Sequence, residues 1–188
     1  MKKLKVPGKV SPQSLENAAV YYLKRYSSSS SHLKSILLRR VIKSARYHGT
    51  DIEEGKIWIE DLVKEFQKAG FLNDQKYAET RAHSLYARGF SSRAIMIKLS
   101  EKGVPAKVIS ETLKIIQRGS GNSELQAAII KAKRRKLGPY RTRGDRQTHR
   151  KKDLESLARV GFNYGTALKV IDAWTEDELE DCLVSYHI

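Results

Sequence analysis

Cysteine is almost absent from this chain of 188 residues, which has Cys182 alone. One thiol excludes an internal disulfide and any structural metal site built from several thiolates. We therefore expect a reducing, cytoplasmic location. No basic residue lies close in sequence to Cys182, so we interpret it as a small buried apolar side chain rather than a nucleophile.

Long apolar runs are also lacking. No stretch approaches the ~20 apolar residues that a membrane-spanning helix needs, so we predict that the protein has no membrane partner. The first residues, Met1-Lys2-Lys3, lead to Pro7, Gly8 and Pro12 without an apolar core. A signal peptide is therefore not expected.

Catalytic motifs form a third absence. There is no Gly-x4-Gly-Lys-Ser/Thr loop to bind nucleotide phosphates. Asp51, Glu53 and Glu54 lie in a predicted loop and could hold a cation, but a polar connector is the commoner meaning of such a cluster. We predict a binding protein and not an enzyme, with no catalytic residue, no metal and no cofactor. The histidines are scattered without a second ligand at metal spacing: His32, His48, His83, His149 and His187.

Positive charge, by contrast, is abundant. The chain has 36 Lys and Arg against 21 Asp and Glu, a formal net charge of +15. Residues 1–46 and residues 131–152 each hold 11 basic side chains and a single acid, whereas six acids and no Lys or Arg follow from Asp172 onward. Basic blocks of this density predict contact with a polyanion, because neutralising phosphates releases condensed counterions. A solvated face kept soluble by like charge is the alternative.

We predict that these blocks, with two arginines beside a central turn, contact single- and double-stranded DNA, mainly through phosphates. Phosphate contacts position a protein but carry little sequence information. The predicted contact residues are Arg39, Arg40, Lys43, Arg88, Arg93, Lys131, Lys133, Arg134, Arg135, Lys136, Arg141, Arg143, Arg146, Arg150, Lys151 and Lys152.

Apolar residues recur at helical spacing almost throughout, which predicts an all-α protein. The serine run Ser27–Ser31 offers an N-cap to the second helix, with a low-complexity linker as the alternative. In the central part, Ile95, Leu99, Val108, Ile109 and Leu113 are predicted to form a buried core. Gly103 is predicted to end a helix with a positive φ.

An apolar-glycine pattern repeats at helix ends and predicts tandem units. It occurs as Leu62-x3-Phe66-x3-Gly70-Phe71, Ile95-x3-Leu99-x3-Gly103-Val104 and, in part, Leu157-x3-Gly161-Phe162. We predict an elongated, curved tandem array of three three-helix, helix-turn-helix-like repeats, since each unit is too small to bury much alone. A short acidic C-terminal helix follows the array.

The predicted boundaries follow these breaks in pattern. Gly119-Ser120-Gly121 is a joint between repeats. Gly138 and Pro139 are predicted to end the seventh helix, and residues 140–148 to form a loop. The divisions are a basic N-terminal arm over 1–14, a first repeat over 15–72, a second over 73–118, a third over 122–173 with a basic insertion near 133–150, and an acidic helix or tail over 174–188.

Three stretches of the chain carry motifs that are structural rather than catalytic. They are Gly70-Phe71-Leu72-Asn73-Asp74-Gln75-Lys76-Tyr77-Ala78, then Arg88-Gly89-Phe90-Ser91-Ser92-Arg93-Ala94-Ile95-x3-Leu99-x3-Gly103-Val104, and Leu157-Ala158-Arg159-Val160-Gly161-Phe162. In this order they resemble the RecX family, the bacterial regulators of the RecA recombinase, and the similarity extends over about residues 15–173.

The resemblance implies a protein that binds the RecA filament and mostly inhibits it. The affected activities would be filament growth, ATP hydrolysis, strand exchange and assisted cleavage of the SOS repressor, so the protein would act in recombinational repair. The alternatives are a helix-turn-helix DNA- or RNA-binding factor without a RecA partner, and an RNA chaperone or nucleoid protein. The predicted sixth helix, 107–116, is mostly apolar and small, which favours packing over base reading.

Overall fold

A computed structural model describes Val6, residues 8–119 and residues 123–184, with only the backbone for 182–184. Four expectations fall outside the described residues in whole or in part. They concern the burial of Cys182, the surface position of His187, most of the basic N-terminal arm, and the Ser120-Gly121 part of the predicted joint.

Every regular element in the described ranges is helical, which confirms the all-α prediction. The short 3-10 turn Gly138–Tyr140 lies between the seventh and eighth of the ten α-helices in these ranges. The helices are α1 (Pro12–Leu23), α2 (Ser30–His48), α3 (Ile52–Lys68), α4 (Asp74–Tyr86), α5 (Ser92–Ser100), α6 (Ala106–Gly119), α7 (Ser123–Arg135), α8 (Arg146–Arg159), α9 (Tyr164–Asp172) and α10 (Glu176–Val184).

Side-chain caps fix where several of these helices begin. Ser29 accepts a hydrogen bond from the His32 N–H, which confirms a serine cap for α2. Ser91 caps α5 in the same way. Ser11 forms a reciprocal capping box with Ser14. Helix α1 therefore begins at Pro12, within the stretch 1–14 that is predicted as the basic N-terminal arm.

The chain divides into two compact units. The first unit comprises residues 1–77 and 102–104, and the second comprises 78–101 and 105–188. In the first unit, α1, α2 and α3 pack around fully buried residues that include Leu33, Leu37 and Val63. In the second unit, Leu99 and Leu157 are fully buried.

The predicted central core is confirmed in large part. Ile95, Leu99, Ile109 and Leu113 are buried, and Val108 is half-buried. Their spacing places them on the inward stripes of α5 and α6, as the helical period requires.

Gly103 has a φ of +67°, which confirms its predicted left-handed conformation. A Cβ at this position would also collide with the Ser31 side chain. The glycine is therefore required twice, by its backbone conformation and by the close approach of α2.

The acidic cluster near residue 51 is not a loop. Asp51 caps α3 by accepting hydrogen bonds from the N–H groups of Glu53 (2.8 Å) and Glu54 (3.4 Å). Both glutamates lie in the first helical turn, where a carboxylate opposes the positive end of the helix dipole. The loop prediction was wrong because this local capping stabilises the helix more than the two flanking glycines, Gly49 and Gly55, disfavour it. Within the described residues, no cluster of three His, Cys, Asp or Glu forms a metal-binding group.

Two predictions around the basic insertion were also wrong. Helix α7 ends at Arg135, before the predicted end at Gly138 and Pro139, and Lys136 has a left-handed conformation (φ +55°). The Leu137 N–H then closes the turn onto the Ala132 carbonyl at 3.0 Å. Residues 146–148 are helical, because Asp145 caps α8 by accepting from the Thr148 N–H at 2.7 Å.

Candidate nucleic-acid interface

The basic cluster at the end of α7 is exposed. Lys133, Arg134 and Arg135 occupy the last helical turn, and Lys136 follows it. Cations at this end of a helix oppose the negative end of its dipole. Arg134 Nη1 donates to the Arg88 carbonyl at 3.0 Å, and Arg135 Nη1 donates to the Ser156 hydroxyl at 3.2 Å. These surface bonds orient the guanidiniums without removing them from solvent.

A cleft of about 360 Å³ adjoins this cluster and is lined by Arg135, Lys136, Arg141, Thr142 and Arg143. Among the described residues, its lining carries four cationic side chains and no acid, so the cleft is suited to an anion such as a phosphate. The structure thus brings together residues that are separated in sequence by the Gly138–Tyr140 turn.

Three further predicted contact residues, Arg141, Arg146 and Arg150, also bond to the protein itself. Arg141 pairs with Asp153, which is 2% exposed and also accepts from the Gly138 N–H at 2.9 Å. Arg146 donates to the carbonyl groups at the end of α9, including Ile171 at 2.6 Å. Their part in DNA contact stays a prediction.

Arg150 makes the third such contact. It binds Asp172 through two hydrogen bonds of 2.6 and 2.7 Å. These hydrogen bonds hold the pKa of the Asp172 carboxyl below its usual range. The pair joins α8 to the end of α9. Arg143, Lys151 and Lys152 are exposed.

Phe90 forms a second cationic centre in the same unit. Arg88, Lys98 and Lys131 place their charged groups 5.6, 5.1 and 5.7 Å from the centre of its ring, within cation–π distance. Burial lowers the pKa of Lys131, and the nearby Arg135 and Arg134 lower it further. Arg93 is exposed close by.

Sequence reasoning missed Phe90 and Lys98 as members of this centre. The available signal was the aromatic residue directly after Gly89 with Lys98 two helical turns further on, but tertiary packing is needed to bring Lys131 to the same ring. Arg39, Arg40 and Lys43 are exposed on α2 and belong to the first unit.

None of the helices in the described ranges combines the length and the apolar character that a bilayer crossing requires. The fold and the exposed cations define a class: an all-helical protein of three-helix units that carries clusters of exposed Lys and Arg side chains. A family model described as the second three-helix domain of RecX matches residues 73–113.

The relatives extend this similarity along the chain. The regulatory protein RecX of Myxococcus xanthus is 49% identical over 170 residues, which cover 90% of each chain. That of Agrobacterium fabrum is 30% identical over 169 residues, 89% of this chain and 86% of the relative. The chain belongs to the RecX family of regulatory proteins.

A solved structure supports the fold. The crystal structure of RecX from Lactobacillus salivarius superposes with a TM-score of 0.63 at 18% identity, covering 93% of this chain and 97% of that one. At this identity the likeness shows the fold alone.

Proposed function

We propose that this protein binds the RecA recombinase on its DNA filament and inhibits RecA. The inhibited activities are ATP hydrolysis, strand exchange and coprotease action, so the protein modulates recombinational repair and the SOS response. Membership of the RecX family carries this proposal. The exposed cations of the second unit support the DNA contact, and the chain acts by binding rather than by catalysis.

The physical basis of this proposal is simultaneous binding to two partners, the DNA and RecA. Exposed cations such as Lys133, Lys136 and Arg143 neutralise phosphates and release counterions, which gives affinity without sequence preference. A second, weak contact to RecA then acts at high effective concentration, so the combined affinity exceeds that of either contact. A ligand that prefers one filament geometry shifts the protomers toward it and slows the cycle of shape changes that ATP turnover requires.

A sequence-specific reader of DNA fits the structure less well. Recognition helices read bases with side chains near their N-termini. The first turn of α6 exposes Ala106 and Lys107, and the next exposes Ser110 and Glu111. Of the Arg, Asn and Gln side chains that can read a base edge, the exposed described ones on α6 are Gln117 and Arg118, at its far end.

Sedimentation with RecA filaments tests the proposal. Filaments assembled on single-stranded DNA with a non-hydrolysable ATP analogue should bring down more of this protein than the same DNA without RecA. Equal recovery from naked DNA and from filaments would favour the DNA- or RNA-binding alternative.

The double variant Arg88→Ala with Arg93→Ala extends this test to the central turn. Both side chains are exposed, so the melting temperature should stay nearly unchanged. Association with the filament should weaken by roughly five- to tenfold, since each lost phosphate contact removes a released counterion. Unchanged association would place recognition on the other basic residues.

A further inference from the structure

A half-open cleft of about 400 Å³ lies within the second unit, beside Phe90. Its volume falls in the range of about 300–1,000 Å³ that is typical of small-ligand sites. The turn after α4, helix α5, helix α7 and the end of α8 all contribute to its walls. The lining residues are Gly89, Phe90, Arg93, Ala94, Ile97, Lys131, Ala158, Arg159, Val160 and Gly161.

The walls of this cleft are held by close backbone packing. The Ser91 hydroxyl donates to the Val160 carbonyl at 2.7 Å and ties the start of α5 to the end of α8. A Cβ on Gly89 would lie 3.1 Å from the Ala127 carbonyl oxygen, and one on Gly161 would lie 2.7 Å from the Ser91 hydroxyl. The two glycines thus permit an approach that sets the cleft in place before any ligand binds.

The lining combines two chemistries. Phe90, Ile97 and Val160 give apolar surface, while Arg93, Lys131 and Arg159 give positive charge, and no acid of the described part of the chain lines the cleft. A ligand that matches both has a flat apolar face and a negative charge a short distance away. A nucleotide of a single strand has this form, because its base is unpaired and its phosphate lies beside it.

We propose that this cleft is a base-stacking subsite for one unpaired nucleotide, with the base against Phe90 and the flanking phosphates on Arg93, Lys131 and Arg159. A duplex hides its base faces and cannot fill the site. The lowered pKa of Lys131 fits this role, since a partly buried ammonium surrounded by arginines gains from an anion. This subsite rests on the DNA contact of the proposed function.

The repeat supplies an internal comparison. Phe162 and Val104 follow the glycine at corresponding helix ends, and both are buried, each 4% exposed. Phe71 also follows its glycine and is 70% exposed, but its ring packs on Phe66 with centroids 5.6 Å apart. Phe90 is the half-buried case, with its ring among three cations. Phe71 is therefore the matched control for Phe90.

The test compares the affinity of Phe90→Ala for three labelled oligomers by fluorescence anisotropy: oligo(dT), an abasic strand of equal length, and oligo(rU). Affinity for oligo(dT) should fall roughly tenfold, in the range of base–aromatic stacking, whereas abasic-strand affinity should stay within about twofold of wild type. A matching loss on oligo(rU) would show that the site accepts an unpaired base of RNA as well as of DNA, and a loss on oligo(dT) alone would show a preference for the DNA oligomer. Phe71→Ala should change none of the three.

Phe90→Trp gives a direct readout that does not depend on a truncated side chain. Its indole fluorescence should be quenched by oligo(dT) and not by the abasic strand, and Phe71→Trp should show no such difference beyond the wild-type signal. Equal effects on oligo(dT) and the abasic strand, or no effect on either, would overturn the subsite. So would an unquenched tryptophan at position 90.

Inhibition of RecA ATP hydrolysis by the wild-type protein, measured in parallel, separates the two proposals. If the wild type inhibits RecA while Phe90→Ala binds oligo(dT) normally, the subsite fails and the function stands. If the wild type does not inhibit RecA, the function fails, and the oligomer affinities still decide the subsite. If Phe90→Ala no longer inhibits RecA but its affinities for the oligomers are unchanged, the cleft binds a protein partner, and the proposal of a nucleotide subsite is overturned.

Discussion

Replacing Asp153 with alanine should lower the free energy of unfolding by about 3–5 kcal/mol, the usual cost of breaking a buried ion pair from one side. The carboxylate is 2% exposed, pairs with Arg141 and accepts from the Gly138 N–H. Without it, a largely buried guanidinium and a buried backbone N–H lose their partner together. Chemical denaturation followed by circular dichroism measures the difference.

Asp61→Ala is the matched control for Asp153→Ala. Asp61 also pairs with a cation, Lys64, but its side chain is 63% exposed and the pair spans one helical turn. Such pairs are worth about 0–1 kcal/mol. Similar losses in the two variants would contradict the structural role assigned to Asp153.

Replacing Lys133, Arg134, Arg135 and Lys136 together with alanine should have the largest effect on DNA affinity. If each contacts a phosphate, the slope of log affinity against log salt should fall by about 0.9 per contact for duplex DNA and about 0.7 for single strands. At moderate salt the affinity for both should drop roughly a hundredfold or more. Circular dichroism should hardly change, because all four side chains are exposed.

The control removes the same charge elsewhere. Lys56, Lys64, Lys68 and Lys76 are exposed residues of the first unit outside the predicted contact set, and their joint replacement with alanine should leave the salt slope nearly unchanged. An equal loss of DNA affinity in both variants would show that affinity depends on net charge and not on the position of these four residues. A loss that depended on one DNA sequence, with an unchanged slope, would contradict phosphate contact.

Local signals predict most of the helix boundaries. Ser29 and Ser91 each precede a helical pattern of apolar residues, and each caps the helix that follows. Gly103 ends its turn with a positive φ. These features involve neighbours within a few residues, so the sequence carries them directly. The all-α class follows from the same local information.

The end of α7 needed tertiary information. Gly138 resembles a helix stop, but α7 ends at Arg135, and Lys136 already has a left-handed conformation. Gly138 is itself left-handed, with a φ of +57°, and it also permits close packing, since a Cβ there would lie 2.9 Å from Ile171 Cα of α9. The packing requirement of this neighbouring helix is not visible in the local sequence.

The sequence predicts the charge of the interface but not the positions of its side chains. The density of Lys and Arg identifies the basic segment, but Arg141, Arg146 and Arg150 bond to groups 12 to 28 residues away in the chain. Phe90 was missed because an apolar residue after a helix-ending glycine normally packs inward, as Phe162 does at 4% exposed. The cations that distinguish Phe90 come from three separate places in the chain.

The rate of ATP hydrolysis by RecA on single-stranded DNA, measured while this protein is titrated in, tests the central claim most directly. The rate should fall at substoichiometric to about equimolar ratios, because a protein held to several neighbouring protomers and their DNA restrains the shape changes of turnover. A rate that stays constant across the whole titration, at a salt concentration where the protein still binds the DNA, would contradict regulation of RecA and leave a nucleic-acid-binding protein.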